Sequence, residues 1–111
     1  MNSVKIFTVG GTIDKVYFDA KSTYEVGPPN ISEVLADLSL NIEFDVTSLM
    51  QKDSLEMTDD DREIVRKAIV ETDATMIVIT HGTDTMVQTA QCLKNILDKT
   101  IVLTGALAPA L

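Results

Sequence analysis

Three short segments carry the residue types that do chemistry. The first is Gly10-Gly11-Thr12, where two glycines let the backbone turn sharply and approach a ligand closely. Thr12 then sets a hydroxyl beside backbone N–H groups, an arrangement that suits a nucleophile, although a GGT triplet alone is also an ordinary tight turn. It is no dinucleotide fingerprint, because the G-x-G-x-x-G spacing is missing and no helix is expected to follow. The second segment is His81-Gly82-Thr83-Asp84-Thr85. Thr83 or Asp84 there serves as an N-cap, or the same N–H groups and carboxylate hold the charged ends of a small substrate. The third is Asp53-Ser54-Leu55-Glu56-Met57-Thr58, either a plain capping segment or a serine hydroxyl and a carboxylate on the same edge. His81 is the only histidine and reads as a hydrogen-bonded structural residue. Without further ligands at metal-binding spacing, no metal site is expected.

These segments fall where strands should end. Val4 to Val9 reads as a β-branched and aromatic strand running into the two glycines. Residues 12 to 30, with two tyrosines, Gly27 and Pro28-Pro29, suit a loop or hairpin excursion. Asn30 caps an expected helix with Ile31, Val34, Leu35 and Leu38 at helical spacing. A second strand is expected over Ile42 to Leu49. A helix starting at Thr58 follows, its inner side formed by Ile64, Val65, Ala68 and Ile69 and its first turn by Asp59, Asp60 and Asp61. Met76 to Thr80 reads as a central strand covered on both faces. A third helix, with Met86, Ala90, Leu93 and Leu97 as one stripe, precedes a fourth strand over Thr100 to Thr104. The alternation predicts an α/β fold: a doubly wound, Rossmann- or flavodoxin-like parallel sheet of about four strands with three helices. In such sheets ligands bind at the carboxyl ends of the strands, where all three segments lie together with Thr104-Gly105-Ala106.

The 111 residues fit one domain. Seventeen acidic against nine basic residues leave a formal charge of -8, which repels nucleic-acid phosphates and anionic membrane surfaces, so neither is an expected partner. Cys92, the single cysteine, allows no intrachain disulfide, and its helical setting predicts a buried, inert thiol. No apolar run approaches the roughly 20 residues that span a bilayer. With no signal-peptide pattern at the start, the cytoplasm is the expected location.

Taken together, the motifs resemble those of the bacterial-type L-asparaginase/glutaminase family, which carries TGGTI after its first strand and HGTDT after a central one. Here they stand as Val9-Gly10-Gly11-Thr12-Ile13 and His81-Gly82-Thr83-Asp84-Thr85. The first departs at Val9; the second matches throughout. Asp53 to Thr58 and Leu103-Thr104-Gly105-Ala106 are similar to two further family segments, in the right order along the chain. The resemblance implies that Thr12 is the nucleophile and that Tyr24 assists proton movement, with Tyr17 a weaker candidate. It places the family's second threonine and aspartate on Thr83 and Asp84. It also implies that Gly11, Ser54 and Glu56 line the substrate, with Ser54 on the α-carboxylate, and that no cofactor takes part.

The implied reaction is hydrolysis of the side-chain amide of asparagine or glutamine. The alternative is a non-catalytic domain of the same descent that binds an amino acid or a protein. The family's lysine falls past residue 111, and its members are longer, so residues 1–111 read as an N-terminal-type domain cut short at its C-terminus. A homo-oligomer is compatible with the resemblance.

Overall fold

A computed structural model describes residues 3–11, 15–18, 23–26 and 43–105. Four strands make one parallel sheet: β1 (Ser3–Thr8), β4 (Glu43–Ser48), β5 (Met76–Thr80) and β6 (Thr100–Thr104), in the order β4-β1-β5-β6. Counting only these strands along the chain, the order is second, first, third, fourth. That is the flavodoxin-like doubly wound arrangement, which reverses direction between β1 and β5. Between β1 and β4, β2 (Lys15–Phe18) and β3 (Thr23–Val26) pair antiparallel with Tyr17 opposite Tyr24, so the expected excursion is a hairpin. The helix expected over Ile31 to Leu38 lies outside the described residues.

Strand alternation separates the two faces of the sheet. Phe7, Val9, Ile77 and Ile79 share one face and pack with Val65 and Ile69 of α1 (Asp59–Glu71), with Met57, and with Leu93 just past α2 (Met86–Cys92). On the other face Ile6 is buried, and Val4, Phe44, Val46 and Val78 are half-buried. β5 is central, as expected, and among the described residues β6 pairs only with β5.

α1 begins as its first turn predicts. The Thr58 hydroxyl accepts the Asp61 N–H at 3.2 Å, while the Asp61 carboxylate accepts the Thr58 N–H at 2.9 Å. This capping box satisfies two otherwise free donors and puts acidic charge at the positive end of the helix. Its inner stripe runs through Arg62, Val65 and Ile69 rather than through Ile64, which is 50% exposed. At the opposite end Lys99 donates to the carbonyls of Thr72 and Ala74, at 2.6 and 2.7 Å.

The third expected helix is shorter than its apolar spacing suggested. α2 stops at Cys92, and Leu97 is 79% exposed. The cause is the run after it, where Asn95 and Asp98 take left-handed backbone angles (φ 69° and 63°), which these two types tolerate better than most non-glycine residues. Arg66 reaches across from α1 and donates to the carbonyls of Cys92 and Lys94, at 3.0 and 3.1 Å, which closes the helix end. The buried positions here are Thr89 and Leu93, one turn apart. Cys92 is out of phase with them and exposed, contrary to the buried thiol expected.

Candidate active site

Parallel pairing sets the last residues of all four strands in one row: Ser48, Thr8, Thr80 and Thr104 are successive register partners. Each strand therefore closes on a hydroxyl residue. Thr8 and Thr80, at the centre, are fully buried, and their hydroxyls have no hydrogen-bond partner among the described residues. Beyond this row the ladder continues, with Val9 N–H on the Thr80 carbonyl (3.0 Å), Lys52 N–H on the Val9 carbonyl (2.9 Å) and His81 N–H on the Thr104 carbonyl (2.9 Å). These bonds carry the three sequence segments to a common edge at the reversal between β1 and β5, where α/β sheets bind ligands.

Glycines allow the segments to interlock there. Gly11 has φ +102°, and a Cβ on it would stand 2.5 Å from the Gly82 nitrogen and 2.7 Å from the Gly82 Cα. A Cβ on Gly82 would stand 2.7 Å from the Cβ of Ser54, and one on Gly105 would stand 2.5 Å from the His81 carbonyl oxygen. The end of β1 thus packs on the end of β5, which packs in turn on the segment after β4.

Ser54 opens a single 3-10 turn, Ser54–Glu56, whose entry Asp53 caps by accepting the Leu55 N–H at 3.3 Å. Ser54 is buried, and its Oγ accepts the Thr85 N–H at 3.0 Å, while the Thr85 hydroxyl donates to the Ser54 carbonyl at 2.8 Å. A serine oxygen used as an acceptor still has its own proton to donate. This pairing corrects the capping role expected for Thr83 or Asp84. Thr85 is the N-cap of α2, and it makes no side-chain cap bond because its hydroxyl is committed to Ser54. Thr83 and Asp84 are exposed in the turn before it, and Glu56 is exposed at the end of the 3-10 turn.

The structure therefore gathers Gly11, Ser54, Thr83 and Asp84 in adjoining segments. Thr12 lies outside the described residues. Tyr24 is placed only by its backbone, in β3. Among the described residues no group of three or more His, Cys, Asp or Glu side chains is assembled to hold a metal ion. No described helix is long and apolar enough to cross a membrane.

Residues 3–111 match the family model described as Asparaginase, N-terminal. The chain belongs to the asparaginase family. Among solved structures, this asparaginase-family chain is similar to a probable cytoplasmic L-asparaginase from Campylobacter jejuni, with 29% identity and a TM-score of 0.80 over 99% of its length. It is also similar to L-asparaginase I from Vibrio cholerae (27%, TM-score 0.79, 97% covered). The thermostable L-asparaginase from Thermococcus kodakarensis, at 22% identity and TM-score 0.79 over 98% of the chain, shares the fold. The chain spans 37%, 35% and 35% of those three structures, in that order.

Two polar groups of this asparaginase-family edge escaped the sequence reading. Arg62 and Thr89 are buried, and His81 is fully buried with its ring nitrogens on the Gly82 carbonyl and the Thr89 hydroxyl. The structural role expected for His81 is the one it has. Burial pushes its ring pKa below the usual histidine value, and the nearby Arg62 charge acts in the same direction, against the bond to Gly82. The available signal for Arg62 was its phase, three and seven residues before Val65 and Ile69 on the inner stripe of α1.

Proposed function

We propose that the protein is an amidohydrolase that uses the Thr12 hydroxyl to cleave the side-chain amide of L-asparagine or L-glutamine. The observation that carries the reading is the interlock of Gly11, Gly82 and Ser54, which joins the segments bearing the family's site residues at the reversal point of the sheet. In this reading the Thr12 oxygen attacks the amide carbonyl carbon, and its proton passes through Tyr24 toward the leaving nitrogen. Ammonia departs and leaves an ester on Thr12. Water then breaks that ester, freeing the acid and restoring the hydroxyl. A threonine hydroxyl needs such base assistance, because it is a weak nucleophile while protonated. Backbone N–H groups at the glycine turn stabilise the oxyanion, a contribution of roughly 3 kcal/mol per donor.

The amino-acid end of the substrate is held by two residues. Ser54 donates its free proton to the α-carboxylate, and exposed Asp84 accepts from the α-ammonium. Gly11, Glu56 and Thr83 complete the lining. The test is ammonia release from both amides by the active protein. Thr12→Ala should abolish turnover and leave aspartate binding largely intact, because the hydroxyl acts in bond making. Near-normal turnover in that variant would remove Thr12 from the mechanism.

The second reading, a non-catalytic amino-acid-binding or protein-interaction domain, predicts aspartate binding with no ammonia release under any condition.

A further inference from the structure

A chain of buried polar groups runs behind the site and takes no part in the reaction described above. Arg62 Nε–H donates to the Thr89 Oγ1 at 3.0 Å, Thr89 Oγ1 lies 2.8 Å from His81 Nε2, and His81 Nδ1 lies 2.6 Å from the Gly82 carbonyl oxygen. Arg62 is 7% exposed, and the other two side chains are fully buried. Removing a guanidinium from water costs several kcal/mol unless a partner compensates. Its ion pair among the described residues is with Asp59, at 3.7 Å, and that carboxylate is fully exposed, so solvent screens the attraction. An apolar side chain in phase with Val65 and Ile69 would avoid this penalty. The arginine must be explained by what it holds.

For a neutral ring the direction of every bond is forced. A carbonyl only accepts, so the proton on the neutral ring sits on Nδ1 and points at Gly82. Nε2 then carries a lone pair, and the Thr89 hydroxyl must donate its one proton to it. The Thr89 oxygen is left as an acceptor, and a guanidinium Nε–H can only donate. A second proton on the ring would turn Nε2 into a donor. Thr89 would then accept from two cations, and its own proton would be displaced from the ring.

The geometry points to Arg62 as a positioning residue: acting through Thr89, it holds His81 as the neutral Nδ1–H form. That single proton fixes the Gly82 carbonyl, and with it the turn that presents Thr83 and Asp84. The state of the ring stands on the hydrogen bonds alone; its consequence for ligand binding rests on the amidase reading.

His81 is the only histidine of the 111 residues, so a long-range proton–nitrogen correlation spectrum of the chain shows one imidazole. The expected wild-type spectrum has a protonated, pyrrole-like Nδ1 and a pyridine-like Nε2 at neutral pH. Arg62→Met removes the donor to Thr89 without opening a large cavity, and it should populate Nε2–H and shift the amide signals of Thr83 and Asp84. Arg62→Lys restores a donor and a charge and should recover most of the wild-type pattern. Thr89→Ser should keep that pattern and Thr89→Val should lose it, which covers the case in which Arg62→Met does not fold. Aspartate titration provides the functional arm. Affinity should fall about threefold to tenfold in Arg62→Met, the range of outer-residue coupling, and return in Arg62→Lys. A wild-type ring with its proton on Nε2, or Thr83 and Asp84 signals unmoved in Arg62→Met, would overturn the inference. So would an aspartate affinity that stays constant while the ring state changes. If no variant, nor the wild type, binds aspartate while the ring behaves as described, the relay stands and the amidase reading falls.

Discussion

Replacing Gly11 by alanine tests whether the strand ends are truly interlocked. Two costs add at this position. A φ of +102° is strained for any residue with a Cβ, at about 1–3 kcal/mol. The new methyl would also stand 2.5 Å from the Gly82 nitrogen and 3.0 Å from the His81 carbonyl carbon, both backbone atoms that no rotamer change can move. Overpacking of this kind costs about 1–3 kcal/mol. Reduced freedom of the unfolded chain returns about 0.4–1 kcal/mol, so the net loss should be roughly 2–5 kcal/mol. Against a total stability of about 5–15 kcal/mol this is severe, and with a urea slope of about 2 kcal/mol per molar the unfolding midpoint should fall by roughly 1–2.5 M. Gly82→Ala is the informative partner. Its methyl meets the Cβ and Oγ of Ser54 at 2.7 and 3.0 Å, without the positive φ. Ser54→Gly should therefore recover part of the Gly82→Ala loss and none of the Gly11→Ala loss, a contrast that a double-mutant cycle reads directly. Gly11→Ala within 1 kcal/mol of wild type by urea unfolding would refute the interlock. Equal rescue of both alanine variants by Ser54→Gly would refute the assigned contacts.

Other outcomes follow from the same contacts. Asp84→Asn should weaken aspartate binding more than Ser54→Ala does, because both partners are ionised in the bond from the α-ammonium to Asp84 and only the acceptor is in the bond from Ser54; calorimetry showing both affinities unchanged would remove these residues from the site. Thr80→Val should leave stability unchanged or raise it by about 1 kcal/mol, since it deletes a buried hydroxyl with no partner among the described residues. A clear loss in urea unfolding would show that the hydroxyl is bonded. Stability should decline with acid in two stages. As pH falls below 6.5 the unfolded chain protonates its histidine while buried His81 resists, so the unfolded state binds more protons and gains. Below 3.8 the same sign applies to Asp61, whose carboxyl the Lys52 ammonium, bonded at 2.8 Å, and the Thr58 N–H hold below the usual range. That stability is present above 3.8 and lost as pH falls through the folded value. Asp61→Asn should flatten the lower stage in unfolding curves taken at several pH values, and an unchanged acid limb would contradict the pairing.

Much of the architecture was legible in the residues themselves. Met76 to Thr80 is too apolar for a half-solvated strand, and strand patterns alternating with helical ones belong to parallel sheets, so the fold class followed from local composition and its order along the chain. Thr58 and the acids after it announced the start of α1 because a capping box lies within four residues of chain. The site segments were legible too, since strand ends of a doubly wound sheet must share an edge.

What the residues could not decide was anything set by distant partners. β1 lies between β4 and β5, and no periodicity in Ser3–Thr8 states that order. The spacing of Leu93 and Leu97 is helical, but Asn95 and Asp98 turn the chain before Leu97 arrives. Thr83 and Asp84 looked like caps because a cap is judged from its own neighbours. Thr85 takes that place because Ser54, 31 residues away, occupies its hydroxyl. Arg62 was not singled out for the same reason, since nothing in its own neighbours gives a guanidinium a cause to be buried. Only a fold that brings Thr89 and His81 behind α1 gives a guanidinium enough hydrogen-bonded work to remain buried.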